Sequence, residues 1–381
     1  MAIIFFRCVT RKRSKLCSFA YDRDMDPLTH AISGAALARA IPKHHLPAQQ
    51  FIMIVLLSMA PDADIVLRLF SETLYLEHHR GLTHSILLVP LWGWFIYSLT
   101  SRQVQANRVM PWLIGGALLL HIMLDVITTF GTMILAPFSD WRASLDLLFI
   151  IDPFFSACML VPLLLGLIWK KQKRIMGIAS LILMCSYLAL AYSNQQSAVT
   201  LTKQAYPDAV GYNALPLAFS PFHWQLIAIY PDYYMRSSVN LAPEFAGTKW
   251  LFDDDFIEAM ISNRMGRAGD LVWQKLLAMH TVNDVHSLPG AAFYTWFASY
   301  PVLLEKGENM IRFGDLAFGA GAPGVRPAFE LQIEGYKVTL NHGNKENHLS
   351  GPSQARAYLI WRNKHKSELT GSEVPFGWFN S

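Results

Sequence analysis

The stretch Glu77-His78-His79-Arg80-Gly81-Leu82-Thr83-His84-Ser85 sets three imidazoles and a guanidinium around a glycine, directly before an apolar run over 86–99. The same arrangement recurs outward from it. Pro61-Asp62-Ala63-Asp64 closes the apolar run 51–60, and His121-Ile122-Met123-Leu124-Asp125 ends the run 110–120. Asp26-Pro27-Leu28-Thr29-His30 opens a fourth apolar segment. Ionisable groups inside or at the rim of a membrane bundle are costly, so clusters of them point to a function. The pattern predicts hydrophobic helices with a polar site at one membrane face.

Composition agrees with that frame. Of 381 residues, 52% are hydrophobic and 16% charged, more apolar than a soluble domain of ordinary make-up. The length accommodates a membrane domain and a second domain. A net charge of +4 is mild, and the basic residues cluster between apolar runs, so no nucleic-acid partner is expected. Cys8, Cys17, Cys158 and Cys185 have no metal-ligand spacing and none follows them, which argues against a disulfide framework.

In chain order, residues 1–24 form a leader whose basic residues follow its apolar start, the reverse of a cleaved signal. It is expected to be disordered or untranslated, with Met25 as the first residue. Asp26 as N-cap and Pro27 at the first helical position then open a helix that runs to Ile41. A second apolar segment spans 48–60. Both are short for a span of about 20 residues. Clearer segments cover 86–99, 110–127, 147–169 and 175–192, so about six hydrophobic helices are expected. Asp152-Pro153 repeats the cap pairing of Asp26-Pro27 and is read as structural.

The positive-inside rule places 170–174, 102–108 and Lys43 in the cytoplasm. All four polar motifs then fall on the opposite side. After about Asn194, charges and prolines become frequent. Strands are predicted over 223–230, 293–304, 329–340 and 357–361, and helices over 252–263 and 269–281. The expected fold is a polytopic α-helical membrane domain over 25–193, followed by a soluble, extracytoplasmic α+β domain over 194–381.

His121 and Asp125, four apart, share one helix face and can reach one ion. Asp62 and Asp64 flank Ala63; a helix-ending turn needs only one aspartate, and an extended or turn backbone would aim both at cations. His79 and His84 bracket a glycine-containing kink, with Thr83 or Ser85 as cap for the next helix. His30 sits on the first turn of its helix; read alone, it is equally a polar residue at a helix start. Together His30, Asp62, Asp64, His79, His84, His121 and Asp125 make a candidate ligand set on one face. Imidazole with carboxylate suits zinc, with manganese or iron as alternatives. Seven ligands exceed one tetrahedral site, so more than one ion is expected. Arg80 is the candidate clamp for an anionic oxygen. Arg142 and Asp146, in the loop 139–146, are assigned to the site rim, and His223, His280 and His286 carry no ligand spacing.

Three of these motifs, with Gly34 and with Thr128, Gly131 and Pro137-Phe138 after His121-x-x-Leu124-Asp125, resemble the membrane-bound metal-dependent hydrolases of the YdjM-like type. So does the fourth, His79-Arg80-Gly81-Leu82-Thr83-His84-Ser85. The likeness covers about 25–155, and such proteins begin at the Met-Asp-Pro-Leu-Thr-His element. The Pro-Asp-x-Asp and His-x-x-x-Asp pieces are also distantly similar to zinc-dependent phospholipase C and related single-strand nucleases. The resemblance implies a hydrolase in a bacterial inner membrane, acting on an ester such as a phosphodiester of a lipid or envelope component. The lipid bilayer is the expected partner; the sequence leaves the oligomeric state open. An alternative of another class is a non-catalytic membrane protein with a structural or transported metal ion.

Overall fold

The computed structural model describes residues 27–218, 220–242, 266, 269–282, 285, 290–307, 310–320, 329–334, 337–342 and 345–348. The leader, Asp26, His286, the helix expected over 252–263 and the strand expected over 357–361 lie outside the described residues. The chain divides into two compact units, one built from residues 24–196 and 215–223, the other including 197–214 and the chain after 223.

The first unit is helical. Its main elements are α1 (Pro27–Ala40), α2 (Ala48–Leu57), a 3-10 helix (Ala60–Leu69), α3 (Glu72–His78), α4 (Val89–Leu99), α5 (Met110–Val126), α6 (Pro153–Ile168) and, up to residue 196, α7 (Lys173–Ala205). Local chemistry starts several of them. Pro61, Pro90 and Pro111 occupy first-turn positions, where no backbone N–H is missed. Ser71 caps α3 by accepting from Leu74 N–H, and Asp152 caps α6 by accepting from the N–H groups of Phe154 and Phe155. The helix expected over 147–169 therefore begins only at Pro153. Residues before Asp152 instead bond across the fold, Leu147 and Leu148 N–H donating to the Ile127 carbonyl.

α1 packs on α2, α5 and α6, and α5 also packs on α2 and α4. The buried centre is Ala38, Ile54, Met110, Leu113, Ile114 and Ala117. Small residues bring the backbones close. A Cβ on Gly34 would sit 2.6 Å from Ser58 Cβ, so the approach of α1 to the end of α2 requires glycine there.

The expectation of about six hydrophobic helices is met in part. Among the described residues one helix is long and apolar enough to cross a membrane, the 36-residue stretch Lys170–Ala205 that contains α7. Its length of about 54 Å exceeds a hydrocarbon core of about 30 Å, leaving its polar half outside. Two bent pairs reach span length only together: Ala48–Leu57 with Ala60–Leu69, at 52°, and Leu74–His84 with Ile86–Leu99, at 46°. Met110–Val126 and Pro153–Ile168 are apolar but shorter. The helices fall short because Asp62 and the segment His79–His84 interrupt the α-helical ladder at the polar motifs.

The second unit is mainly β. A four-stranded sheet in the order β1-β2-β3-β4 uses Gly211–Pro216, His223–Ile229, Tyr233–Asn240 and Gln274–Leu277. A five-stranded sheet in the order β5-β6-β7-β8-β9 uses Pro301–Lys306, Met310–Asp315, Phe329–Glu334, Lys337–His342 and Lys345–His348. The strand expected over 223–230 is β2. Three other expectations are corrected. In place of a helix over 269–281 stand β4 and a 3-10 turn at Met279–Thr281, because β3 offers an antiparallel partner from Tyr233↔Leu277 to Arg236↔Gln274. The strand expected over 293–304 is instead helix α8 (Ala291–Phe297), started after Gly290 at φ 75°, followed by β5 from Pro301. Residues 329–340 form a hairpin, β7 and β8, rather than one strand. Between β6 and β7, Arg312 pairs with the buried Glu330 carboxylate at 2.7 Å. That hydrogen bond holds the guanidinium's proton affinity above its usual range.

Candidate metal centre

Four of the seven proposed ligands meet. Asp62 comes from the 3-10 helix, His84 from the turn Leu82–His84, and His121 and Asp125 from one face of α5. One ligand atom of each lies within 4.8 Å of all the others, and all four residues are buried. His84 Nε2 is 2.9 Å from Asp125 Oδ2 and 3.4 Å from Asp62 Oδ1. His121 Nε2 is 3.3 and 3.4 Å from the same two oxygens.

The rings are held from behind. His121 Nδ1 is 2.7 Å from the Ser58 carbonyl, which only accepts, so Nδ1 carries the proton and Nε2 turns its lone pair inward. His84 Nδ1 lies 2.9 Å from Thr83 Oγ1, whose hydroxyl donates to Asp64 Oδ2 at 3.0 Å. The two Nε2 atoms then face one another at 3.0 Å. Neither oxygen of Asp62, nor Oδ2 of Asp125, has a hydrogen bond, although all are buried. Arg80 reaches only the outer oxygen of Asp125, so the inner carboxylate oxygens face the two imidazoles with no fixed positive partner among them, which is unfavourable in a buried site. A divalent cation supplies that partner, and outer hydrogen bonds that fix imidazole orientation are what such ions require. The cluster is fit to hold a metal ion.

The other three proposed ligands take different places. Successive side chains in a 3-10 helix are about 120° apart, so Asp62 and Asp64, two apart, point in different directions. Asp64 accepts from His79 Nδ1 at 2.8 Å, from Arg80 N–H at 3.2 Å and from Thr83. His79 thereby faces Asp64 rather than the cluster, with its Nε2 buried and unbonded. His30 stacks on His121, ring centroids 3.9 Å apart, and its Nε2 is 3.4 Å from Asp125 Oδ1, the oxygen turned away from the cluster.

Arg80 is held at φ 60°, a left-handed conformation uncommon for a residue with a side chain. Its guanidinium is buried, 3.1 Å from Asp125 Oδ1, 3.0 Å from Thr128 Oγ1 and 4.9 Å from the centre of the Phe130 ring. Its first task is to fix a ligand carboxylate. It also lines a cleft of about 30 Å³ with Thr29, His30, Asp125, Leu148 and Phe149, space for a water or two. In the rim loop, Arg142 donates to the Phe130 carbonyl and Ser144 bonds Asp146.

Sequence reasoning missed Ser58, whose hydroxyl donates to the His30 carbonyl at 2.8 Å while its own carbonyl orients His121. A lone serine at the end of an apolar run carries no signal of that. The expectation that Thr83 or Ser85 caps the next helix is corrected: Thr83 bonds Asp64, and Ser85 donates to the Ala136 carbonyl at 2.6 Å. Neither hydroxyl caps the next helix, because Thr83 serves the site and Ser85 ties down the backbone at Ala136.

The profile of the YdjM inner membrane protein family matches residues 25–198, which include every residue of the cluster. Inner membrane protein YbcI of Escherichia coli (strain K12) is 32% identical over 122 residues, 30% of this chain and 69% of that protein. The chain belongs to the YdjM inner membrane protein family. A second relative, uncharacterized protein YfhP of Bacillus subtilis (strain 168), is 35% identical over 139 residues. That match covers 34% of this chain and 42% of YfhP, less than half of its length. No solved structure matches the chain. Family membership and the apolar helix make this a membrane protein, with a buried aspartate–histidine cluster fit for a metal.

Proposed function

We propose that this family member is a metal-dependent hydrolase of an ester, a phosphodiester of a lipid or envelope component. The observation that carries the reading is the convergence of Asp62, His84, His121 and Asp125 with three carboxylate oxygens left unbonded, beside a cleft that Arg80 also lines. Zinc suits two imidazoles and two carboxylates, with manganese or iron as alternatives. Bound there, such an ion supplies Lewis-acid activation of water and polarisation of the phosphoryl oxygen. The chain's own residues set the geometry. Ser58 and Thr83 hold His121 and His84 with their Nε2 atoms inward. Arg80 and His30 hold Asp125 from its outer oxygen and offer positive charge and a donor along the cleft. In the reaction, water adds to phosphorus, the P–O bond to the leaving alcohol breaks, and a proton from that water ends on the alcohol. With His79 and Asp64 paired to each other, one ion is the primary occupant, and a second would require rearrangement of His30 or His79.

The complete burial of all four ligands favours a second reading, a structural or transported ion without catalysis. A closed four-ligand site has no open position for substrate. The two separate in one experiment. Metal-replete protein is expected to hydrolyse some phosphodiester lipid in a screen, to lose that activity to a chelator and to regain it on adding metal back. Absence of chelator-sensitive hydrolysis across phosphomonoester, phosphodiester and carboxylic ester lipids would retire the enzyme and leave the structural ion.

The finer topology belongs to the same proposal: about six hydrophobic helices, with the cluster and the C-terminal unit outside the cytoplasm. The basic residues at 170–174 and 102–108 support it through the positive-inside rule. Alkaline phosphatase fused after Tyr192 should be active and green fluorescent protein at the same position dark; the reverse pattern would overturn the orientation.

A further inference from the structure

The segments that carry the cluster turn their other sides outward, and those sides are apolar. On the 3-10 helix, Asp62 and Asp64 are buried while Ile65, Val66, Leu69 and Phe70 are exposed, Leu69 by 82% and Phe70 by 76%. Every exposed residue over 60–70 is apolar, since Arg68 is partly covered and lies over the Tyr75 ring at 4.4 Å. Leu82, two residues from His84, is exposed. Residues 132–138 are bonded to the same stretch through Met133 N–H to the Arg80 carbonyl and Ile86 N–H to the Ile134 carbonyl. They display Leu135 and Phe138, the latter 83% exposed. Polar groups return at Glu77-His78, half-buried and exposed, and at Asp140-Trp141, where a charge stands beside a half-exposed indole, the pairing expected where lipid meets water.

A water-facing surface does not carry such a concentration of bare leucine and phenylalanine. Hydrocarbon does, provided the irregular backbone is satisfied within the protein. It is: the breaks at 52° and 46° are the places where the ligands sit, and the hydrogen bonds above tie down the backbone there. We infer that the metal cluster lies beneath the lipid headgroups and takes its ester sideways from a lipid of the surrounding leaflet, not from water. The cleft that Arg80 and His30 line beside Asp125 has room for a water or two only, so acyl chains would have to stay in the bilayer.

The inference about substrate rests on the hydrolase reading; the immersion of the site does not. In a chain whose four cysteines are replaced by alanine, nitroxides on Leu69→Cys and Phe138→Cys would be measured in nanodiscs of phosphatidylethanolamine and phosphatidylglycerol. Both should collide with oxygen in preference to a water-soluble nickel chelate, as a label on the α7 surface at Ile182→Cys does. Readings like those of Val272→Cys in the β unit would overturn the inference. A Leu69→Glu/Phe138→Glu variant should keep its metal stoichiometry and lose about tenfold or more in turnover of phosphodiester lipids in vesicles, because carboxylates in hydrocarbon are costly. A parent enzyme that prefers a water-soluble phosphodiester over the lipid would also overturn lateral entry. A parent that hydrolyses neither fails as a hydrolase, and the nitroxide depths still decide immersion by themselves.

Discussion

Purified Asp125→Asn protein should lose metal affinity by a factor on the order of 10²–10³, while Asp64→Asn loses about tenfold. Asn has the shape of Asp, so the packing around α5 is kept and the change reports on charge and ligation. Asp125 contributes one oxygen to the cluster and gives the other to Arg80 and His30. Four-ligand zinc sites are worth about 10–16 kcal/mol, so one ligand of four accounts for about 3–4 kcal/mol, or two to three decades. Asp64 stands one shell out. Its hydrogen bonds to His79 and Thr83 orient groups rather than bind the ion, and losses at such positions run about 10–100-fold. Metal content after dialysis against a graded chelator measures both. If Asp125→Asn and Asp64→Asn keep the parent's stoichiometry throughout the series, the cluster is not a metal site.

Removal of the guanidinium should be the most destabilising single change in the helical unit, and its cost should depend on metal. Arg80 is the buried cation against Asp125, and Asp62 lies within the same cluster. Taking away one partner of a buried pair leaves an uncompensated charge, at about 3–5 kcal/mol. Arg80→Met keeps the length and the Cβ, so the strain of the left-handed backbone at φ 60° is present in both proteins and cancels. In chelator-stripped protein the full loss is expected in denaturant unfolding. With metal bound, the ion neutralises the same carboxylates and the loss should shrink by half or more. An equal loss with and without metal would mean that Arg80 acts on Phe130 and Thr128 alone, through packing and hydrogen bonding.

Much of the helical unit was legible because hydrophobic runs and proline–aspartate caps are local signals. The Asp152-Pro153 cap pairing was legible, since a cap needs only the two N–H groups that follow it, although the apolar run by itself puts the helix start at 147. The β unit was harder. Gln274–Leu277 looks like a helix in isolation and becomes a strand because Tyr233–Asn240 is there to pair with it. Alternation and amphipathicity in four residues cannot outweigh a partner strand.

By itself the sequence determined which residue types are available to the site and that they lie at the ends of apolar segments, because hydropathy and residue chemistry are properties of the chain. It also placed His121 and Asp125 on one face, since helical spacing is fixed over four residues. Tertiary structure alone decided which residues meet. The 3-10 rotation sends Asp62 and Asp64 apart, Ser58 and Thr83 turn the two imidazoles inward, and Arg80 is committed to a ligand carboxylate. Those choices depend on contacts between residues dozens of positions apart, where no local rule of spacing operates.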